Sequence, residues 1–271
     1  MANNENTDWA RTWIGGATRD EIHVAGRDLP SEIMGKLTLT ELAYLLVTKR
    51  EPTPQQTALL DAVLVSLADH GLTPSALAAR LTYTGAPEAI QGAVAAGLLG
   101  AGSVFLGPAG DTAQFLFDAL PDVYGTPRED VGDWSNADDA TLRTIAERAV
   151  DARRAAGARV PGLGHPVHKD VDPRTPRLYA IAEANGLLGP HLRLLAHVAA
   201  VNEDRSGKHL PVNGAGAGGA ALVDLGLPPS SARGVVLIAR TAGLVAHLVE
   251  EAEQPVGMPL WLEVEERSSE H

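Results

Sequence analysis

Cysteine is absent from all 271 residues, which excludes a disulfide framework, a zinc-thiolate centre and a thiol nucleophile. Aromatic residues make up only 4%. Alanine and leucine dominate instead, favouring helices packed through small side chains over a sheet protein, so the expected class is all-α. Positive charge is also scarce: 22 Lys and Arg face 34 Asp and Glu, a net charge of −12. Nucleic acid and anionic membrane would both repel such a chain, and neither is an expected partner. No signal peptide and no long apolar span stand out, and the polar start Met-Ala-Asn-Asn-Glu-Asn makes the cytoplasm the expected compartment. The length suits one large domain or two small ones.

Helix signals recur along the chain. Thr38 with Glu41 forms a capping box before Leu42, and Thr53, Pro54 and Gln56 do the same for a helix ending at His70 and Gly71. Thr73-Pro74 and Ala86-Pro87 open two more helices, the second carrying Gly92 and Gly97 on an alanine-rich face suited to close packing. Others are expected near 137–156, 176–184, 190–201 and 231–253, where Pro255 stops the last. Residues 121 to 136 read as a connector. The first ten residues and the acidic end from Glu263 lack apolar periodicity and are expected to be mobile.

The most informative stretch is Val160-Pro-Gly-Leu-Gly-His-Pro-Val-His-Lys-Asp-Val-Asp-Pro-Arg174. Two glycines and a proline force an irregular backbone ahead of His165, freeing amides and carbonyls to meet a ligand. A group able to move a proton near pH 7 then precedes a fixed cation, Arg174, that suits a carboxylate. Seven basic residues against four acidic ones lie between Glu147 and Arg177. That local patch can hold an anionic substrate despite the acidic whole; for Arg153 and Arg154 an ordinary solvated helix end is an equal reading.

Gly162, Gly164, His165, Asp172, Pro173 and Arg174 reproduce a Gly-x-Gly-His-(six residues)-Asp-Pro-Arg signature that resembles the citrate synthase superfamily. The short chain looks most like its citryl-CoA lyases, with likeness from about Trp13 to Pro255. The resemblance implies a large helical domain (10–110 and 212–262) and a smaller inserted one (111–211), with loops near 107–112 and 207–213 as joins. It implies that coenzyme A is held by the backbone of Pro161, Gly162, Leu163 and Gly164, that His165 handles the substrate carbonyl or hydroxyl oxygen, and that Arg174 grips a carboxylate. His70 and Arg240 match two further carboxylate-binding positions. His70, placed at a helix end, is expected to favour its protonated form. Lys208 and Arg205 are candidates for coenzyme A phosphates.

Two departures stand beside these matches. The family's second catalytic histidine sits in a Gly-Pro-Leu-His-Gly turn, yet Gly102 to Asp111 has none. The family's general base is the aspartate of an Asn-Val-Asp triplet, set here against Pro211-Val212-Asn213, so Asn213 is the candidate at that position and Asn213→Asp would restore a base. Proton transfer would otherwise fall to His209, Asp111, Asp204 or solvent. The run Gly214 to Gly219 has dinucleotide-fingerprint spacing, but no strand precedes it and no acidic residue follows at the required distance. It reads as a helix N-terminus whose glycines admit a ligand. His247 reads as a satisfied core or interface histidine.

The sequence thus points to a coenzyme A-dependent carbon-carbon lyase cleaving citryl-CoA, or an analogue, to acetyl-CoA and oxaloacetate or their counterparts. A condensing enzyme for another acyl-CoA and keto acid, or a non-catalytic ligand-binding homologue, are the alternatives. Coenzyme A thioester enters as substrate, no metal is required, and the resemblance implies a homodimer.

Overall fold

A computed structural model describes residues 11–120 and 134–269, so the calls on the first ten residues and on 121–133 lie outside them. The described chain is helical apart from one small sheet, as composition foretold. It groups into two compact units, one to Thr57 and one from Ala58 onward. Both expected joins, near 111 and 211, lie within the second.

The first unit holds a three-stranded antiparallel sheet, β1 (Gly15–Ala17), β2 (Ile22–Val24) and β3 (Arg27–Asp28). Val24 pairs with Arg27 across a two-residue turn, Ala25-Gly26, with both φ angles positive, at 52° and 76°. After a single π-type turn (Leu29–Ile33) comes α1 (Leu39–Thr48). Its capping box forms as expected, with Glu41 N donating to Thr38 Oγ1 and Thr38 N to Glu41 Oε2.

From Ala58 onward, the rest of α2 (Pro54–Ala68) leads to the hairpin α3 (Pro74–Gly85) and α4 (Ile90–Ala101). Ala79 and Ala93 pack there against Leu244 and Leu248 of α10 (Pro229–Glu253). Gly97 makes this possible, since a Cβ on it would sit 2.8 Å from Leu244 and 3.0 Å from Ala79. Gly92 meets only Ala89 at 3.7 Å, an ordinary contact, so the packing role expected of both glycines belongs to Gly97.

The expected loop at 107–112 is helical: a π-type turn (Gly102–Leu106) runs into α5 (Gly107–Ala119), with Pro108 in its first turn. α6 (Asp139–Ala155) packs on α8 (Pro190–Ser206), and α7 (Arg174–Ala184) joins the signature to them. At the centre lies α9 (Gly214–Asp224), buried almost all round and touching α5, α7, α8 and α10.

Pro255 does not end the helical chain. Residues 257–268 form α11 (Gly257–Ser268), because Glu251 accepts the Val256 and Gly257 N–H groups and fixes its start. Buried Arg80 binds Glu251 at 3.0 Å and His247 at 3.2 Å, and His247 binds Asp69 at 2.8 Å. His247 is thus the satisfied histidine expected. Ile90–Ala119 and Pro229–Glu253 are long and apolar enough to cross a membrane by length and composition, which corrects the expectation that no long apolar span exists.

Candidate active site

Most residues singled out for the site face one cleft of about 1340 Å³: His70, Pro161, Gly162, Leu163, Gly164, His165, Arg174, Lys208, Asn213 and Arg240. The cleft is built around the signature loop. Gly162 and Gly164 both have φ near +80°, a conformation that β-carbons resist. The loop is stitched to the chain entering α9 by Gly164 N donating to Pro211 O (2.7 Å) and Asn213 N to Gly162 O (2.9 Å).

Asn213 completes that seam. Its side-chain oxygen accepts Gly216 N at 2.8 Å, capping α9, while its Nδ2 donates to Gly164 O at 2.8 Å. An amide does both at once, whereas an ionised carboxylate could only accept.

The glycines that follow make room for protein. A Cβ on Gly214 would lie 2.4 Å from Arg174 Nε, on Gly216 2.5 Å from Gly162 Cα, and on Gly219 2.3 Å from Ala109 O. Their small size therefore lets α9 dock on the loop, on Arg174 and on α5, and the expected ligand approach is not what they provide.

Past the loop, the backbone amides of Val167 and His168 both donate to His165 Nδ1 at 3.1 Å. An Nδ1 that accepts must lack a proton, so the neutral ring carries its hydrogen on Nε2. Burial, with His168, Arg174 and His70 nearby, outweighs Asp172 and pushes the ring further toward the neutral form. His168 stacks on His165 with centroids 4.5 Å apart, and His70 meets it edge-on at 5.2 Å. Donor atoms of the three rings lie within 4.8 Å of one another, a spacing that a metal ion could bridge. His165 is ill-suited to it, since its one lone pair already receives two amides.

Asp172 is fully buried and accepts Arg174 Nε (3.0 Å), Arg174 Nη2 (2.7 Å) and Gly214 N (2.8 Å). Burial alone would raise this carboxyl, but those bonds hold it well below the usual aspartate range. Asp172 thereby fixes Arg174 by two points while the guanidinium still faces the cleft. Arg240 reaches the cleft from α10, only 6% exposed, with no partner for its Nε among the described residues. Burial, with Arg174 nearby, works against its charge despite Asp69.

His70 differs from expectation. It lies beyond the end of α2, and burial first, then Arg174, His168 and Arg240, push it toward the neutral form, so desolvation and neighbouring charge together override the helix terminus. Arg205 is also elsewhere, bound to Asp151 at 3.0 Å, whereas Arg153, Arg154 and Arg159 line the cleft with Lys208. His209 is tied to Glu203 and Asp170 O, Asp204 to Arg143, and neither lines the cleft. Among the described residues, Asp111 is the one acidic lining residue, against six Lys and Arg.

A family model described as "Citrate synthase, C-terminal domain" matches residues 17–259. The chain belongs to the citrate synthase family. Among solved structures it is similar to citryl-CoA lyase from Hydrogenobacter thermophilus, with a TM-score of 0.75 and 30% identity over 89% of this chain and 86% of that one. Citrate synthase from Thermotoga maritima shares the fold at a TM-score of 0.62 and 17% identity, covering 82% of this chain and 55% of that one. A Mycobacterium tuberculosis (strain H37Rv) protein provisionally named citrate synthase 2 is 27% identical over 228 residues, 82% of this chain and 55% of that protein. The chain spans about half the length of the curated relatives it matches.

Within the citrate synthase family signature, the sequence marked the loop, His165 and Arg174, but not what positions them. Asp172 looked like part of a turn rather than a buried anchor. Asp111 carried no motif, since its place on the cleft follows from α5 beginning at Gly107.

Proposed function

We propose that this chain binds a coenzyme A thioester beside a polycarboxylate and cleaves the carbon-carbon bond between them, as a citryl-CoA lyase does. The observation that carries this reading is Arg240, a buried cation with an unpartnered Nε in the same cleft as Arg174, His70 and His165. A desolvated guanidinium is costly unless an anion meets it, and Arg240 beside the Asp172-anchored Arg174 suits a substrate carboxylate. At about 1340 Å³ the cleft exceeds the roughly 300–1,000 Å³ of single-ligand sites, leaving room for a thioester and an acid together.

The adenine end would lie along the backbone of Pro161 to Gly164, with the phosphates among Arg153, Arg154, Arg159 and Lys208. His165, with hydrogen on Nε2, donates to the substrate oxygen and stabilises it as the hydroxyl becomes a carbonyl. It cannot take the hydroxyl proton at that nitrogen while Nδ1 receives two amides, so its part is that of an oxygen donor. Asn213 is a positioning residue. Read from Asn213, the family triplet Asn-Val-Asp falls on Asn213-Gly214-Ala215, which puts cleft-lining Ala215 where the aspartate stands.

Likeness to the Hydrogenobacter thermophilus lyase supports cleavage over condensation. Two copies would associate through exposed apolar residues such as Leu99, Val245 and Val249. The test is incubation with citryl-CoA: release of oxaloacetate and acetyl-CoA is expected. Intact citryl-CoA with coenzyme A still bound would instead favour the ligand-binding alternative.

A further inference from the structure

We propose that Asp111 is the catalytic residue that carries the proton between substrate oxygen and carbon. The inference rests on the lyase reading above, and asks which group replaces the family aspartate. Three observations converge on Asp111. It is the one carboxylate lining the cleft among the described residues, and it forms no hydrogen bond or ion pair with any of them. The other groups are committed: Asn213 to the loop seam, Asp172 to Arg174, His209 and Asp204 outside the cleft. The helix that carries it, α5, is also fixed against the reacting loop. Thr112, the next residue on α5, abuts Gly162 so closely that a Cβ there would stand 2.8 Å from Thr112 Oγ1.

A free carboxylate among six cations weakens the cleft's pull on a polyanion. Its presence makes sense if chemistry requires it. In cleavage, the carboxylate accepts the hydroxyl proton of the tertiary alcohol. The carbon-carbon bond breaks, its electron pair stays on the methylene carbon as the thioester enolate, and the alcohol carbon becomes a ketone. The carboxylic acid then returns the same proton to that carbon, giving the acetyl thioester. Hydroxyl oxygen and methylene carbon are bonded to the same alcohol carbon before cleavage, so one carboxylate can serve both, and no net proton is exchanged.

The test uses the full chain with Asp111→Asn, Asp111→Ser and Asp111→Glu, reading citryl-CoA cleavage, coenzyme A affinity by calorimetry, and exchange of the acetyl-CoA methyl protons in deuterated water. Asp111→Asn and Asp111→Ser should lower kcat by about 10²- to 10⁴-fold, with coenzyme A bound as tightly or more so, while Asp111→Glu keeps part of the rate. Loss of both rate and coenzyme A affinity in all three variants would mean a structural role and overturn the proposal. So would cleavage by Asp111→Asn within about threefold of the parent, which would leave the lyase reading standing. If the parent binds coenzyme A without cleaving citryl-CoA, the lyase reading fails. Methyl exchange then decides: exchange lost in Asp111→Asn supports Asp111 as the proton carrier, and no exchange by the parent refutes it.

Discussion

Replacing Asn213 by Asp should loosen the molecule without supplying a base. The substitution keeps an oxygen to cap Gly216 N but removes the donor to Gly164 O, and sets a carboxylate oxygen where the two atoms lie 2.8 Å apart. The lost hydrogen bond is worth about 1 kcal/mol, and the stranded carbonyl, at a residue only 8% exposed, adds about 1–3 kcal/mol. A negative charge at the start of α9 returns about 0.3–1 kcal/mol through the helix dipole. The net is a loss of roughly 1–4 kcal/mol, or about 2–15 °C in Tm for a chain of this size.

The pH dependence gives a sharper signature. In the Asn213→Asp variant, the protonated carboxyl can donate to Gly164 O as the amide does, so folding should raise its pKa above the unfolded value. A raised carboxyl pKa gives stability that is present at low pH and lost as pH rises through the folded value. Urea unfolding of parent and variant at pH 4 and pH 7 reads this directly. A variant as stable as the parent at pH 7, or a penalty that shrinks as pH rises, would refute the clamp.

Other outcomes follow from the same geometry. Gly216→Ala should lower stability and coenzyme A affinity, because its Cβ would meet Gly162 Cα at 2.5 Å, whereas Gly234→Ala, with open space around it in α10, should stabilise by about 0.5–1 kcal/mol in thermal melts. Arg240→Ala should cost at least about tenfold in carboxylate affinity by calorimetry while leaving denaturant stability equal or higher, since it removes a buried cation with an unpartnered Nε. Asp172, held below its ordinary range, contributes stability that is present above the unfolded pKa and lost as pH falls through the folded one. Acid titration below about pH 4 should show that loss in the parent and much less of it in Asp172→Asn.

Local signals in the sequence were reliable where the cause was local. Thr38 with Glu41, Pro54 and Pro74 announced their helices because caps and prolines act within one turn. The start of α5 was missed because Gly107, Pro108 and Gly110 look like loop residues, while burial of Ala109, Thr112 and Ala113 selects the helix. α11 was missed because what starts it is Glu251, a carboxylate on the preceding helix. Within the site, residue types with one spacing were legible, and charge states were not. His70 depends on its desolvation and then on Arg174 and Arg240, which lie far away in sequence and beside it in space.

The glycines of α9 bear on how the molecule assembles. Each costs about 1 kcal/mol against alanine in an isolated helix, and Gly214, Gly216, Gly218 and Gly219 fall within eleven residues. Such a segment has no reason to be helical before its neighbours arrive. It becomes a helix only when Gly162, Arg174 and α5 press on it, and those groups in turn have nothing to rest on until it forms. Loop, cation and core therefore order in one cooperative event. Amide protons of α9 should exchange only through global unfolding, despite a sequence that reads as the weakest helix in the chain.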